Sequence, residues 1–160
     1  MRGNSNQAPA GLRIYEYNKS THAFTVRGAH TPTVHSWGGR GWPISSTLLY
    51  IPWSNTGQLA LFDISNKDNL PAPTTFPNSG SANTQLLVIA NLLFTSSHSG
   101  GHFGLGVYDI STPSTPSLVY HKPLDATVVG LNRLTVGGQD YLAYTANGRS
   151  AISICRLGNL

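Results

Sequence analysis

Four segments of alternating apolar residues recur along the chain at near-constant spacing: LRIYEYN from Leu12, LALFDIS from Leu59, LGVYDIS from Leu105 and ISICRLG from Ile152. The successive offsets are 47, 46 and 47 residues. No other feature constrains the fold as strongly. A fixed period of this length means that one small unit is built several times, each copy burying its apolar surface against its neighbours.

Side chains point to opposite faces of a strand in turn. One face carries Leu12, Ile14 and Glu16; then Leu59, Leu61 and Asp63; then Leu105, Val107 and Asp109; then Ile152, Ile154 and Arg156. The other carries Tyr15 and Tyr17, Phe62 and Ile64, Tyr108 and Ile110, Cys155 and Leu157. Both faces are largely apolar, which predicts a sheet sandwiched between two others.

Further strands flank the repeated one. LLYIPWS at Leu48, LLFTSSH at Leu92 and YLAYTAN at Tyr141 each precede it, joined to it by NTG, SGGHFG or Asn147-Gly148-Arg149. Asn-Gly is a hairpin signal because both positions tolerate positive φ. Weaker runs lie upstream again: TVHSW at Thr33, TQLLVI at Thr84 and ATVVGLNRLTV at Ala126. Downstream come AFTVRG, the poorly marked PTTFPN, and SLVYHK. The unit is four strands, A-B-C-D, in about 47 residues, the length of a β-propeller blade. The expected fold class is therefore all-β, with propeller-type blades of four antiparallel strands. Residues 1–10 read as a flexible N-terminal segment and residues 11–160 as one repeat domain.

The motif Leu-x-Val-Tyr-Asp-Ile-Ser-x-Pro-x-x-Pro, Leu105 to Pro116, resembles the LVIVD-type propeller repeat, in which an aliphatic strand ends in Asp-Val/Ile-Ser-x-Pro. Leu59 to Pro71 match with one extra residue before the proline. Leu12 to Asn18 keep only an acid, and Ile152 to Gly158 put Arg156 in its place. The resemblance implies a propeller of the kind often found in extracellular or surface proteins, with no catalytic motif attached to the repeat.

The strands read C-D, A-B-C-D, A-B-C-D, A-B-C, about three blades' worth, whereas closed propellers have four to eight. Three arrangements would cover the remaining apolar faces and edges: a piece of a larger propeller, a ring completed by self-association such as a two-fold six-bladed assembly, or a small ring closed by AFTVRG as the last blade's outer strand.

Composition agrees with many short strands. Charged residues make up 10% of the 160, while Gly, Ser, Thr, Asn and Pro are abundant. The net charge of +4 reflects only six acids, and the ten Lys and Arg are scattered from Arg2 to Arg156, which argues against nucleic-acid binding. The single Cys155 excludes an intrachain disulfide. No run reaches the about 18 apolar residues of a membrane span, and LLVIANLLF is interrupted by Asn91. MRGNSNQAPAG lacks the apolar core of a secretory signal, so low charge and the resemblance alone favour an extracellular or cell-surface setting.

The chemistry-bearing residues fall into four groups. Asp63 with Ser65 and Asp109 with Ser111 end the repeated strand, where a carboxylate accepts backbone N–H bonds in the bend, and their repetition argues a structural turn. His98 and His102, in HSGGH, have the spacing of a weak metal pair, but Gly100-Gly101 removes helical geometry and no third ligand is near in sequence. His35, at the start of an innermost strand, points to the channel mouth, with Asp125 at the matching place two blades on. Some propeller lactonases and cyclases place His and acids there, which supplies an enzyme alternative.

SWGGRGWP, Ser36 to Pro43, reads as an interaction loop carrying Trp37, Arg40 and Trp42; the competing reading folds both tryptophans back onto the blade edge. Cys155 sits in the column of Tyr15, Phe62 and Tyr108 and is expected to fill the core. Asn18-Lys19-Ser20 is a formal glycosylation acceptor. Nothing calls for a cofactor. The expected function is a non-enzymatic scaffold or protein-interaction module, with a partner or sister subunit engaged through blade faces, edges and loops.

Overall fold

The computed structural model describes residues 12–31, 41–53, 58–77, 85–97, 103–148 and 150–158. Among them every regular element is a strand: β1 (Leu12–Asn18), β2 (Ala23–His30), β3 (Trp42–Pro43), β4 (Leu48–Trp53), β5 (Gln58–Asp63), β6 (Thr74–Pro77), β7 (Leu86–Ile89), β8 (Leu92–Ser97), β9 (Phe103–Asp109), β10 (Ser117–Leu124), β11 (Val128–Val136), β12 (Gln139–Ala146) and β13 (Ile152–Arg156).

The strands form four antiparallel sheets, each drawn from one continuous stretch of chain: β1-β2, β3-β4-β5-β6, β7-β8-β9-β10 and β11-β12-β13. The four copies of the repeated segment are β1, β5, β9 and β13, and the flanking runs supply their neighbours. One expectation changes. The strand that pairs with β4 is Trp42–Pro43, with Trp42 opposite Tyr50 and Pro43 opposite Leu49. TVHSW lies outside the described residues.

Local chemistry sets the turns. Between β1 and β2 the Asn18 side-chain oxygen accepts the N–H groups of Ser20 and Thr21 at 2.8 and 3.1 Å. The β11–β12 hairpin turns on Gly137 and Gly138, at φ of 57° and 77°, the left-handed backbone that a two-residue hairpin needs.

Alternation along the strands builds two cores. Tyr50, Leu59 and Leu61 of the second sheet pack against Leu86, Leu93 and Tyr108 of the third. Leu87, Phe94 and Leu105, on the third sheet's opposite face, pack against Val128, Leu131 and Leu142 of the fourth. Each such side chain stabilises the fold by roughly 1.5–3 kcal/mol on burial. The third sheet is thus covered on both sides, as the apolar alternation requires. Close backbone approaches between sheets run through β3 against β7 and through β11 against β7, β8 and β9. The inner strands therefore converge.

The first sheet stacks on the second by different means. Gly28 is buried so close to the Lys67 carbonyl that a Cβ would collide with it. The His30 ring meets the Phe62 ring edge-on at 5.4 Å. Arg27 reaches across to Asp68, with Nε–Oδ1 at 2.7 Å and Nη2–Oδ2 at 2.9 Å, while its Nη1 bonds Glu16 at 2.5 Å.

Burial on both faces holds for β5 and β9 but not for β1 and β13, which among the described residues have a neighbouring sheet on one side only. Tyr15 is 50% exposed and Phe24 70%; Ile152 is 67% exposed and Ile154 58%.

Candidate functional site

The Asp-Ile-Ser segments form two closely matched bends. Asp63 Oδ1 accepts the Ser65 N–H at 2.8 Å. Asp109 Oδ1 accepts both the Ser111 N–H, at 2.8 Å, and its hydroxyl, at 2.6 Å. These donors favour the charged carboxylate and hold both groups below the usual aspartate range, the Ser65 N–H contributing most at Asp63 and the Ser111 hydroxyl at Asp109. The isoleucine that follows extends the ladder: Ile64 N–H donates to Thr47 O at 2.7 Å and Ile110 N–H to Asn91 O at 2.8 Å.

Each bend is also gripped by the preceding sheet. Arg27 holds Asp68 after β5, and the Tyr50 hydroxyl donates to the Pro113 carbonyl after β9 at 2.6 Å. Burial pushes the Tyr50 phenol up to about 12. With Oδ1 of each bonded within the bend, Asp63 and Asp109 are arranged to shape backbone.

His35, Trp37, Arg40, His98 and His102 lie outside the described residues. Asp125 sits exposed in the bend between β10 and β11. Among the described residues no three His, Cys, Asp or Glu side chains converge as a metal set. Trp42 takes the inward option: it is half-buried in β3 and packs against both cores. Cys155 packs against the core between the third and fourth sheets, with its Sγ 4.0 Å from Lys122 Nζ. It borders an apolar groove of about 430 Å³ lined by Phe94, Val107, Val119, Tyr120 and Leu157, with Lys122 also in its wall.

No family model and no curated protein matches the chain.

The most distinctive surfaces lie at the two ends of the stack, where sequence reasoning placed no candidate residue. In the repeat register, Leu59 and Leu61 face the next sheet from β5, as Leu105 does from β9, and they are only 2%, 8% and 3% exposed. Their counterparts in β13, Ile152 and Ile154, face outward. Conversely, Phe62 of β5 and Tyr108 of β9 face the preceding sheet and are 1% and 5% exposed. Their counterpart in β1, Tyr15, is exposed beside Tyr17, Phe24 and Val26. Tyr15 meets Phe24 edge-on at 6.5 Å and Tyr17 lies 4.9 Å from Phe24, so the aromatic groups form one continuous patch. Contiguous apolar patches of this kind are association surfaces.

Proposed function

We propose that this chain is a β-propeller-type scaffold with LVIVD-like repeats, and that it works by binding protein rather than by transforming a substrate. Its binding surfaces are the outward faces of the first and last sheets, with the segment that carries Trp37 and Arg40 as an accessory contact. The observation that carries this reading is the contrast within one repeat column: Leu59 and Leu61 are buried by the next sheet, whereas Ile152 and Ile154 are bare. Leaving such side chains in water forgoes about 1.5–3 kcal/mol each, which a partner recovers.

A photo-reactive residue at Ile154 or Tyr15 tests the reading in the native host. Discrete cross-linked protein products are expected from either position, and none from a control at the exposed Lys19. Absence of products from both faces overturns the scaffold reading. So does turnover of lactones by the purified chain that His35→Ala abolishes.

A further inference from the structure

We propose that the partner of the last sheet is the first sheet of a second copy of this chain, docked face to face so that the stacking of sheets continues from one copy into the next. The proposal rests on the scaffold reading and names its partner.

The argument is one of continuity. Between the second and third sheets, and again between the third and fourth, an apolar interface of the same polarity forms. At both, the forward face of one sheet offers the aliphatic column, and the rearward face of the next offers the alternate column of the repeated strand. Leu59 and Leu61 of β5 meet Tyr108 and Ile110 of the third sheet. Leu105 and Val107 of β9 meet Cys155 and Leu157 of the fourth. The two ends of the stack are the two halves of one more such interface. The last sheet presents Ile152 and Ile154 forward, and the first presents Tyr15, Tyr17, Phe24 and Val26 rearward. Two forward faces or two rearward faces would lack this match, so the contact is heterologous.

One departure from the repeat fits the same contact. Where β5 and β9 end in Asp63 and Asp109, β13 ends in Arg156, exposed on the forward face with its Nη2 donating to Gln139 Oε1 at 2.8 Å. Stacking in the repeat register carries Arg156 to the Tyr17 end of the aromatic patch, where a guanidinium over a ring is favourable. Closure follows from the convergence of inner strands, which makes the stack an arc. Two copies joined at both ends supply eight sheets, within the range of closed propellers.

The test is solution mass of the purified chain with single-face variants. Wild type is expected at twice the chain mass. Ile154→Glu and Phe24→Glu are each expected to run at the monomer mass, because each spoils both contacts of a homodimer. Mixing the two variants restores the doubled mass, since one intact contact survives in the mixed pair. A monomeric wild type overturns the proposal, and so does a mixture that stays monomeric. Should either substitution unfold the chain, the photo-reactive residue at Tyr15 decides: cross-links to residues 152–154 of another copy support the contact, and any other site overturns it. Cross-linking of Ile154 to a different protein alone sinks the second-copy contact and leaves the scaffold reading standing.

Discussion

The hydroxyl of Tyr50 donates to the carbonyl of Pro113 at 2.6 Å, so the second strand of one sheet holds the turn that follows the third strand of the next. The bond crosses a sheet-to-sheet boundary, and Tyr50 is wholly buried. Tyr50→Phe keeps the ring and removes the donor, with an expected loss of about 1 kcal/mol in urea unfolding. The pH dependence is also fixed in sign. The folded phenol ionises near 12 against an ordinary value near 10. Its contribution is therefore complete below about pH 10 and is lost as pH rises toward 12. Unfolding midpoints across that window should fall in wild type and fall less in Tyr50→Phe.

Asp109 offers the acid-side counterpart. Its carboxylate accepts two bonds from Ser111, which lower its pKa. The stabilisation is present above the ordinary aspartate range, about 3.9, and disappears as pH falls through the lower folded value. Asp109→Ala should lower the thermal midpoint at neutral pH and flatten the acid limb of the profile. Asp109→Asn, which keeps an accepting oxygen, should lose less.

Thr95 carries a buried hydroxyl with no hydrogen-bond partner among the described residues, and the residue is fully enclosed in β8. A buried unpaired polar group costs more than an isosteric methyl. Thr95→Val should raise stability by about 1 kcal/mol, measured by chemical unfolding; a loss of similar size would show that the hydroxyl is satisfied in solution.

Gly28 lies where the first sheet meets the Lys67 carbonyl with no room for a Cβ. Gly28→Ala should cost about 1–3 kcal/mol, as other overpacking substitutions do. The damage should be local: faster amide exchange in β1 and β2, with the core around Leu93 and Phe94 unchanged.

The repeat made most of this architecture legible. Alternation at Leu59–Asp63 and Leu105–Asp109 gave the buried strands, and the flanking runs gave their partners, because both the period and the pleat are written in side-chain polarity. Trp42–Pro43 was harder, since two residues beside a glycine-rich stretch carry no alternation. Ile152 and Ile154 look like Leu59 and Leu61 in sequence; a side chain's polarity says which face it takes and not whether another sheet covers that face. The grips of Tyr50 on Pro113 and Arg27 on Asp68 span 63 and 41 residues. Pro113 and Asp68 lie within the repeated motif but their partners Tyr50 and Arg27 do not, so the motif alone did not mark the pairs.

Each sheet is drawn from one uninterrupted length of chain, with strands added in the order they are made. Such a chain can be assembled progressively, one hairpin at a time, without threading. It can equally be lengthened or shortened by whole repeats, since a sheet inserted between two others meets the same kind of face before and behind it. The number of sheets is then a property of the gene's repeat count, open to change by duplication, while the stacking rule between neighbours stays fixed.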